Sequence, residues 1–382
     1  MTTLYQLAVL GIPTREQLSE LEAFISKIVG MFNLKLGTEI EWLVCNSDFT
    51  PNMRTISAAV FFGHEAAPTD NLQNLLSLGV PILPVTSDIT KVSAEIPAML
   101  RSLNCLAYNT AGAERIATAL LECVGLLPKQ RRVFVSYRRD EARDAALQLF
   151  DALSARLFDV FLDTHGIPPA EDFQTMLWHR LCDSDVLIML DTPSYFESRW
   201  TSAEYGRALA KGISVLRVGW PDSTPSARTA TASRVELLPQ EVDIQTGRLN
   251  DEALNRICIQ LEEVRSQSQA VRTVNLVSNV RNALETIGGQ LIGVGVHRGM
   301  HIRLPDSREI VVYPTVGVPT SATLHDAATN SPNQSVAVIY DHVGLHPRWL
   351  GHLNWLGENI RSARWVKASE ASWQFADWEN IA

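Results

Sequence analysis

The sequence has few cysteines, no surplus of basic residues and no long apolar segment. Its five cysteines are scattered without a CxxC pair, which predicts neither a disulfide framework nor a zinc site and favours a reducing compartment. Basic residues number 33 against 42 acidic ones, whereas nucleic-acid-binding domains usually carry a basic surplus. No apolar run reaches the roughly 20 residues of a membrane helix. We therefore expect a cytoplasmic protein that binds neither nucleic acid nor membranes.

Signatures of metal, ATP and redox-cofactor sites are also missing. The histidines show no HExxH or related spacing, and the sequence has no Walker A motif. No GxGxxG follows an apolar strand, which argues against a dinucleotide used in redox chemistry. We therefore expect neither a metal site nor a bound cofactor.

Short apolar strands alternate with helical patterns along most of the chain, which predicts parallel α/β sheets. We divide the chain into an α/β domain at 1–128, a second α/β domain at 130–222, a linker plus helix at 223–270 and an α/β domain at 271–382. The last block is rich in tryptophan, which predicts either an aromatic core or a stacking surface for sensing or assembly.

Two segments echo one another across the first two blocks. "EYGRALAKGISVLRV" and "NLQNLLSLGVPILPV" each place a glycine eight residues after their first residue, at Gly212 and Gly79. The echo predicts either a degenerate copy of the middle block, with Asn71 in the place of Glu204, or a generic α/β pattern. A fainter echo in the last block puts Leu353 at that place.

Three motifs in the middle block carry a family resemblance. They are "VFVSYRRDE", "VFLDTHGIPPAEDF" and "VLIMLDTPSYFESRWTSAEYGRAL". Their order and spacing resemble the Toll/interleukin-1 receptor (TIR) domain, including the W-x-x-x-E helix of its enzymatic members. The resemblance implies a flavodoxin-like, doubly wound parallel sheet, in which ligands bind at the carboxyl ends of the strands. The flanking α/β blocks would then be candidates for degenerate TIR-like copies.

The resemblance also implies an activity. Many bacterial and plant TIR domains cleave NAD⁺ at the nicotinamide–ribose bond and release ADP-ribose or a cyclic or modified form of it. Bacterial members often act in anti-phage defence, and the resemblance implies a phage-derived or protein trigger and self-association into a homo-oligomer or filament. The matching catalytic residue here is Glu204, with NAD⁺ as substrate rather than cofactor. The candidate substrate-binding residues are Tyr137, Arg138, Arg139, Trp200, Asp163 and Phe173.

A carboxylate alone suits this chemistry, since the nicotinamide of NAD⁺ leaves without a proton donor while positive charge develops on the ribose. A purely structural interpretation of the same residues remains open. Thr201 and Glu204 fit the capping box S/T-x-x-E, with Trp200 and Tyr205 as a hydrophobic staple. Ser194 and Ser198 are expected to be turn or cap residues.

The motifs depart from the family pattern at two places. The loop after the second strand reads Pro168-Pro169-Ala170 where Pro-Gly is common, which predicts a stiffer loop. The third strand ends in Leu190-Asp191, where a serine is common.

Two rival functions stay open. One is a non-catalytic TIR scaffold that works by self-association. The other is an enzyme like the nucleoside deoxyribosyltransferases, whose "E-x-G-x-A-x-x-x-G" helix resembles residues 204–212.

Overall fold

The computed structural model describes residues 3–45, 48–52, 54–127, 131–162 and 171–378, with the backbone alone for 171–175. Contacts divide the chain into two compact units. The first consists of Met1–Leu127, Ala270–His342 and Arg348–Ala382, and the second of Pro128–Gln269 and Val343–Pro347. Within the described chain, no helix combines the length and the apolar character that crossing a bilayer requires.

The N-terminal block is a parallel five-stranded sheet in the order β2-β1-β3-β4-β5. Its first helix begins directly after Thr14, because Thr14 and Gln17 form a reciprocal capping box. The elements are β1 (Tyr5–Gly11), α1 (Arg15–Gly30), β2 (Ile40–Val44), β3 (Ile56–Phe62), α2 (Leu72–Leu78), β4 (Ile82–Thr86), α3 (Val92–Glu95), β5 (Leu106–Ala107) and α4 (Tyr108–Cys123).

The middle block repeats this topology. Its sheet is parallel and runs β7-β6-β8-β9-β10, so both sheets have the local order 2-1-3-4-5. This is the doubly wound, flavodoxin-like arrangement that the sequence predicts. The elements are β6 (Arg132–Ser136), α5 (Arg139–Ser154), β7 (Asp159–Leu162), α6 (Glu171–Asp183), β8 (Val186–Asp191), α7 (Arg199–Lys211), β9 (Ser214–Gly219), β10 (Ser233–Glu236) and α8 (Asp251–Ile287).

Within the segment 223–270, predicted as a linker plus helix, residues 223–269 belong to the middle unit. They supply the edge strand β10, which pairs with β9 through residues 233–236. The start of α8 then packs on the same sheet, with Leu249, Ile257 and Leu261 in its core. The helix runs for 37 residues to Ile287, and the two compact units divide within it between Gln269 and Ala270, next to the predicted boundary.

The C-terminal block forms a mixed sheet in the order β11-β12-β13-β14-β15. The first three strands pair antiparallel and the last three parallel. This topology differs from that of the middle sheet. The fold therefore does not support the sequence echo that aligned Leu353 with Glu204. The elements are β11 (Gln290–Val294), β12 (Met300–Arg303), β13 (Glu309–Thr315), α9 (Ser321–Asn330), β14 (Ser335–Tyr340), α10 (Pro347–Asn359), β15 (Arg364–Lys367) and α11 (Ala371–Ala376).

The N-terminal and C-terminal blocks pack together within the first unit. The side chain of Asn104 donates to the carbonyl of Asn330 at 3.1 Å, and His297 Nδ1 lies 2.5 Å from Glu122 Oε2. Gly293 permits the close approach of β11 to helix α2, because a Cβ at this position would lie 2.6 Å from the Leu76 side chain. The blocks on either side of the TIR-like sequence therefore share one compact unit.

The buried carboxylate of Asp185 connects α8 to the middle sheet through hydrogen bonds. Asp185 precedes β8 and accepts from Arg265 Nε at 2.9 Å, in an ion pair whose side chains are both almost fully buried. Gln269 donates to the second carboxylate oxygen, and Ser268 donates to the Asp185 carbonyl. The main-chain N–H of Arg132 also points at this carboxylate, at 3.2 Å. The carboxylate therefore joins α8 to the starts of β6 and β8.

Replacing Asp185 by alanine should destabilise the middle unit by about 3–5 kcal/mol, because it removes one partner of a buried ion pair. Hydrogen exchange of the β6 and β8 amides in the full chain measures the effect. The exposed Asp144→Ala variant on α5 is the matched control and should change protection little. Equal protection in the two variants would show that the buried pair does not stabilise the sheet.

His301 on β12 should make the first unit sensitive to acid. Burial lowers the pKa of this side chain to about 4, although Glu309 opposes the shift. The unfolded chain therefore binds the proton at higher pH, near 6.5, and stability falls as the pH drops from about 6.5 towards 4, by up to about 3 kcal/mol. Thermal melting of His301→Phe between pH 4.5 and 7.5 should show a weaker pH dependence than the wild type. The exposed His325→Phe variant should keep the wild-type dependence, and an unchanged dependence in His301→Phe would refute the assignment.

Candidate active site

The candidate site lies where the strand order of the middle sheet reverses. β6 pairs with β7 on one side and with β8 on the other, so the connections after β6 and β8 leave the sheet in opposite directions. The resulting crevice at the carboxyl ends of the strands is where such sheets bind ligands. Ser136 ends β6 at this crevice, and Asp191 ends β8.

Glu204 does not cap its helix. The N-cap of α7 is Ser198, whose hydroxyl accepts from the main-chain N–H groups of Trp200 and Thr201 at 3.3 and 3.5 Å. Glu204 consequently lies in the second turn, beyond the reach of the N-cap backbone. The capping-box interpretation with Thr201 as N-cap is therefore wrong, whereas the expected cap role of Ser198 is confirmed. Thr201 instead donates its hydroxyl to the carbonyl of Tyr195.

The Glu204 carboxylate is held by a chain of hydroxyl groups. The side chain is 6% exposed, and its Oε2 accepts from Ser136 Oγ at 2.5 Å. Ser136 Oγ lies 2.6 Å from the hydroxyl of Tyr195, which is fully buried. A serine hydroxyl carries one proton, so when that proton points at Glu204, Tyr195 must be the donor to Ser136. The order of donation is therefore Tyr195 to Ser136 to Glu204.

A protonated Tyr195 phenol is consistent with this order of hydrogen-bond donation. Burial raises the pKa of its phenol well above the usual value, and the negative charge of Glu204 raises it further. The phenol therefore keeps its proton at neutral pH and remains available as a donor. Hydrogen bonds to the charged form of a carboxylate favour that form, so the hydroxyl chain stabilises ionised Glu204.

The other carboxylate at the crevice is neutralised by an internal ion pair. Asp191 Oδ2 lies 2.5 Å from Arg217 Nε, with both side chains buried. Arg217 also contacts Glu236 on the edge strand at 2.5 Å. Desolvation raises the pKa of Asp191 despite the opposing effect of Arg217. This cluster ties β8, β9 and β10 together and explains why an aspartate ends the third strand of the middle block.

The two candidate arginines occupy different environments. Arg138 is half-buried and donates from Nη1 to the carbonyl of Ser194 at 2.9 Å and to Glu197 at 3.0 Å. It also approaches Glu141, where desolvation opposes ionisation but the hydrogen bond from Ser194 and the charge of Arg138 lower the pKa. Arg139 is exposed at the start of α5. Only the Arg138 guanidinium lies along the loop that leads into α7.

The remaining candidates are scattered around the sheet. Tyr137 is buried with Val135 and Leu149 in the core on the face opposite Glu204, so the structure separates it from the carboxylate. Trp200 is 49% exposed, and the guanidinium of Arg199 lies 4.4 Å from its ring centre. Asp163 lies outside the described residues. Phe173 belongs to α6, but its side chain is not among those described.

Sequence reasoning missed the residues that hold Glu204 and neutralise Asp191. Ser136 stood in the "VFVSY" motif without an assigned role, and Tyr195 stood in a segment interpreted as a turn. The available signal is a hydroxyl at the end of the apolar run "VFV" in β6, because buried polar groups require partners. Arg217 carried a similar signal inside the apolar strand β9.

Comparison with known proteins supports the TIR resemblance of the three motifs in the middle block. Residues 133–257 match a family model described as a TIR domain, so the middle of this chain is a TIR domain. No curated protein matches the chain at a significant level. A crystal structure described as a two-component system response regulator/ggdef domain protein shares 17% identity and covers 69% of this chain and 99% of its own. Its TM-score of 0.24 is too low to support a fold or a function.

Proposed function

We propose that the TIR domain cleaves the nicotinamide–ribose bond of NAD⁺, with Glu204 as the catalytic residue. The products would be nicotinamide and ADP-ribose, or a cyclic or otherwise modified ADP-ribose that serves as a signal in bacterial anti-phage defence. The observation that carries this proposal is the buried Glu204 carboxylate, bonded to a hydroxyl at the topological switch point. Burying a carboxylate costs free energy, which makes it a candidate functional group at the ligand-binding edge of the sheet.

The reaction requires little of the protein besides this negative charge. As the bond between the ribose C1′ and the pyridinium nitrogen breaks, both bonding electrons go to the nitrogen and neutral nicotinamide leaves. Positive charge develops on C1′ and the ribose ring oxygen, where a carboxylate stabilises it. Water then adds to C1′ and loses a proton to give ADP-ribose. Attack by a group of the same nucleotide gives a cyclic product instead.

Arg138 is the better placed arginine for binding the anionic part of the substrate. Its guanidinium is fixed on the loop before α7 by the Ser194 carbonyl and Glu197. A guanidinium with several N–H donors can bind a phosphate oxygen while it keeps such a contact. In this proposal Arg138 binds the pyrophosphate, and Arg139 remains at the solvent-exposed start of α5.

Self-association is proposed as the activating step, and the exposed Trp200 supports it. This indole begins the helix that carries Glu204, yet about half of its surface faces solvent. Large aromatic side chains are enriched at protein interfaces because they bury much area on association. A second copy covering Trp200 would exclude water from the edge of the site.

Glu204→Gln should lower the rate of NAD⁺ cleavage by at least about 10²-fold, because it removes the charge that stabilises the ribose cation. The glutamine carbonyl can still accept from Ser136, so the fold should survive. Nicotinamide release by the full chain, dilute and concentrated, measures the effect, and circular dichroism monitors the fold. The exposed Glu252→Gln variant on α8 should retain the wild-type rate.

Two other outcomes would replace this proposal. Equal rates for Glu204→Gln and wild type would remove Glu204 from the catalytic role. Base exchange between deoxynucleosides without NAD⁺ loss would favour the nucleoside deoxyribosyltransferase alternative.

Ser136→Ala should move the acid limb of the kcat/KM profile to higher pH. The alanine removes a hydrogen bond to the ionised form of Glu204 and thereby raises the carboxylate pKa. Tyr195→Phe should act in the same direction but less strongly, because the phenol acts on Glu204 through its hydrogen bond with Ser136. The measurement is the rate of nicotinamide release between pH 4 and 8.

Thr201→Val serves as the control for these two variants. It also removes a buried hydroxyl from α7, but this hydroxyl bonds main-chain carbonyls rather than Glu204. We expect it to lower thermal stability and leave the acid limb in place. An acid limb that does not move in Ser136→Ala would contradict the role of the hydroxyl chain.

A further inference from the structure

The C-terminal block contains a large cavity that the proposed reaction does not use. It lies between α10, β15 and α11 and has a volume of about 690 Å³. Small-molecule sites in proteins typically measure roughly 300–1,000 Å³. Three of the tryptophans near the end of the chain, Trp365, Trp373 and Trp378, line it. The cavity belongs entirely to the first compact unit.

The three indoles have different surroundings. Trp378 is buried, and the guanidinium of Arg364 lies 4.5 Å from its ring centre. Trp365 packs edge-on against Tyr340, and its indole N–H is buried without an acceptor among the described residues. Trp373 is 59% exposed. The cavity therefore offers one accessible aromatic face on a wall whose other indoles are held in place.

Charged side chains of both signs surround this aromatic face. Arg361 stands at the rim, exposed and without an ion-pair partner in the described part of the chain. Glu358 and Asp377 are also exposed and line the same cavity. An exposed guanidinium suits a phosphate, and carboxylates accept hydrogen bonds from amino groups. A ligand that matches all three features combines an aromatic ring, an amino group and a phosphate.

We propose that this cavity binds a nucleotide whose base carries an exocyclic amino group. The base stacks on Trp373, the phosphate pairs with Arg361, and the amino group donates to Glu358 or Asp377. Base-on-indole stacking and guanidinium–phosphate pairing are both strong enough to produce measurable affinity. The inference does not depend on NAD⁺ cleavage, because its residues lie outside the TIR domain.

Calorimetric titration of the full chain with AMP tests the proposal. AMP should bind at least about tenfold more tightly than adenosine, which lacks the phosphate, and than ribose 5-phosphate, which lacks the base. Trp373→Ala should weaken AMP binding by about tenfold. Arg361→Ala should abolish the preference for AMP over adenosine.

Matched controls separate this cavity from other sites. Trp355 is 56% exposed, close to the 59% of Trp373, but does not line the cavity. Trp355→Ala and Arg115→Ala, an exposed arginine on α4, should bind AMP like the wild type. Absence of AMP binding would overturn the proposal. AMP binding that is the same in Trp373→Ala, Arg361→Ala and wild type would also overturn it, because the nucleotide would then occupy another site.

Discussion

A carboxylate withdrawn from water is the constraint on which the TIR domain is built. Burying the Glu204 charge is unfavourable unless donors replace its water molecules. Ser136 donates because β6 ends at the crevice, and Tyr195 supports Ser136 because the turn before α7 places its phenol inside the sheet's core. The end of β6, the turn that carries Tyr195 and helix α7 must therefore all be correctly placed for the Glu204 carboxylate to receive its hydrogen bond.

The N-terminal sheet shows that this topology does not itself require the glutamate. It has the same strand order, and α2, like α7, ends at a glycine in the left-handed conformation, Gly79 and Gly212 respectively. At the matching position Asn71 stands at the N-cap of α2, where its side chain donates to the carbonyl of Phe49. A neutral amide satisfied by a main-chain carbonyl can thus replace the ionised group.

The sequence predicts the strands and helices of the TIR domain well, because apolar runs and a terminal glycine are local signals. It leaves the N-cap of α7 open between Ser198 and Thr201, because both residues suit a cap and only the tertiary contact of Thr201 with Tyr195 decides between them. The sequence does not predict strand β10, because the segment that precedes it is rich in Pro, Ser and Thr and is typical of a loop. Contacts such as those of Asp191 with Arg217 and Ser136 with Tyr195 join residues distant in sequence and leave no periodic pattern.

The fate of NAD⁺ incubated with the full chain tests the central claim most directly. Mass spectrometry should be used to count nicotinamide, ADP-ribose species, AMP and nicotinamide mononucleotide over a range of protein concentrations. Glu204 acting at the ribose predicts one nicotinamide released for each NAD⁺ consumed, without AMP, and a specific rate that rises as the chain self-associates. Cleavage into AMP and nicotinamide mononucleotide, or no NAD⁺ loss under conditions where the chain assembles, would contradict it.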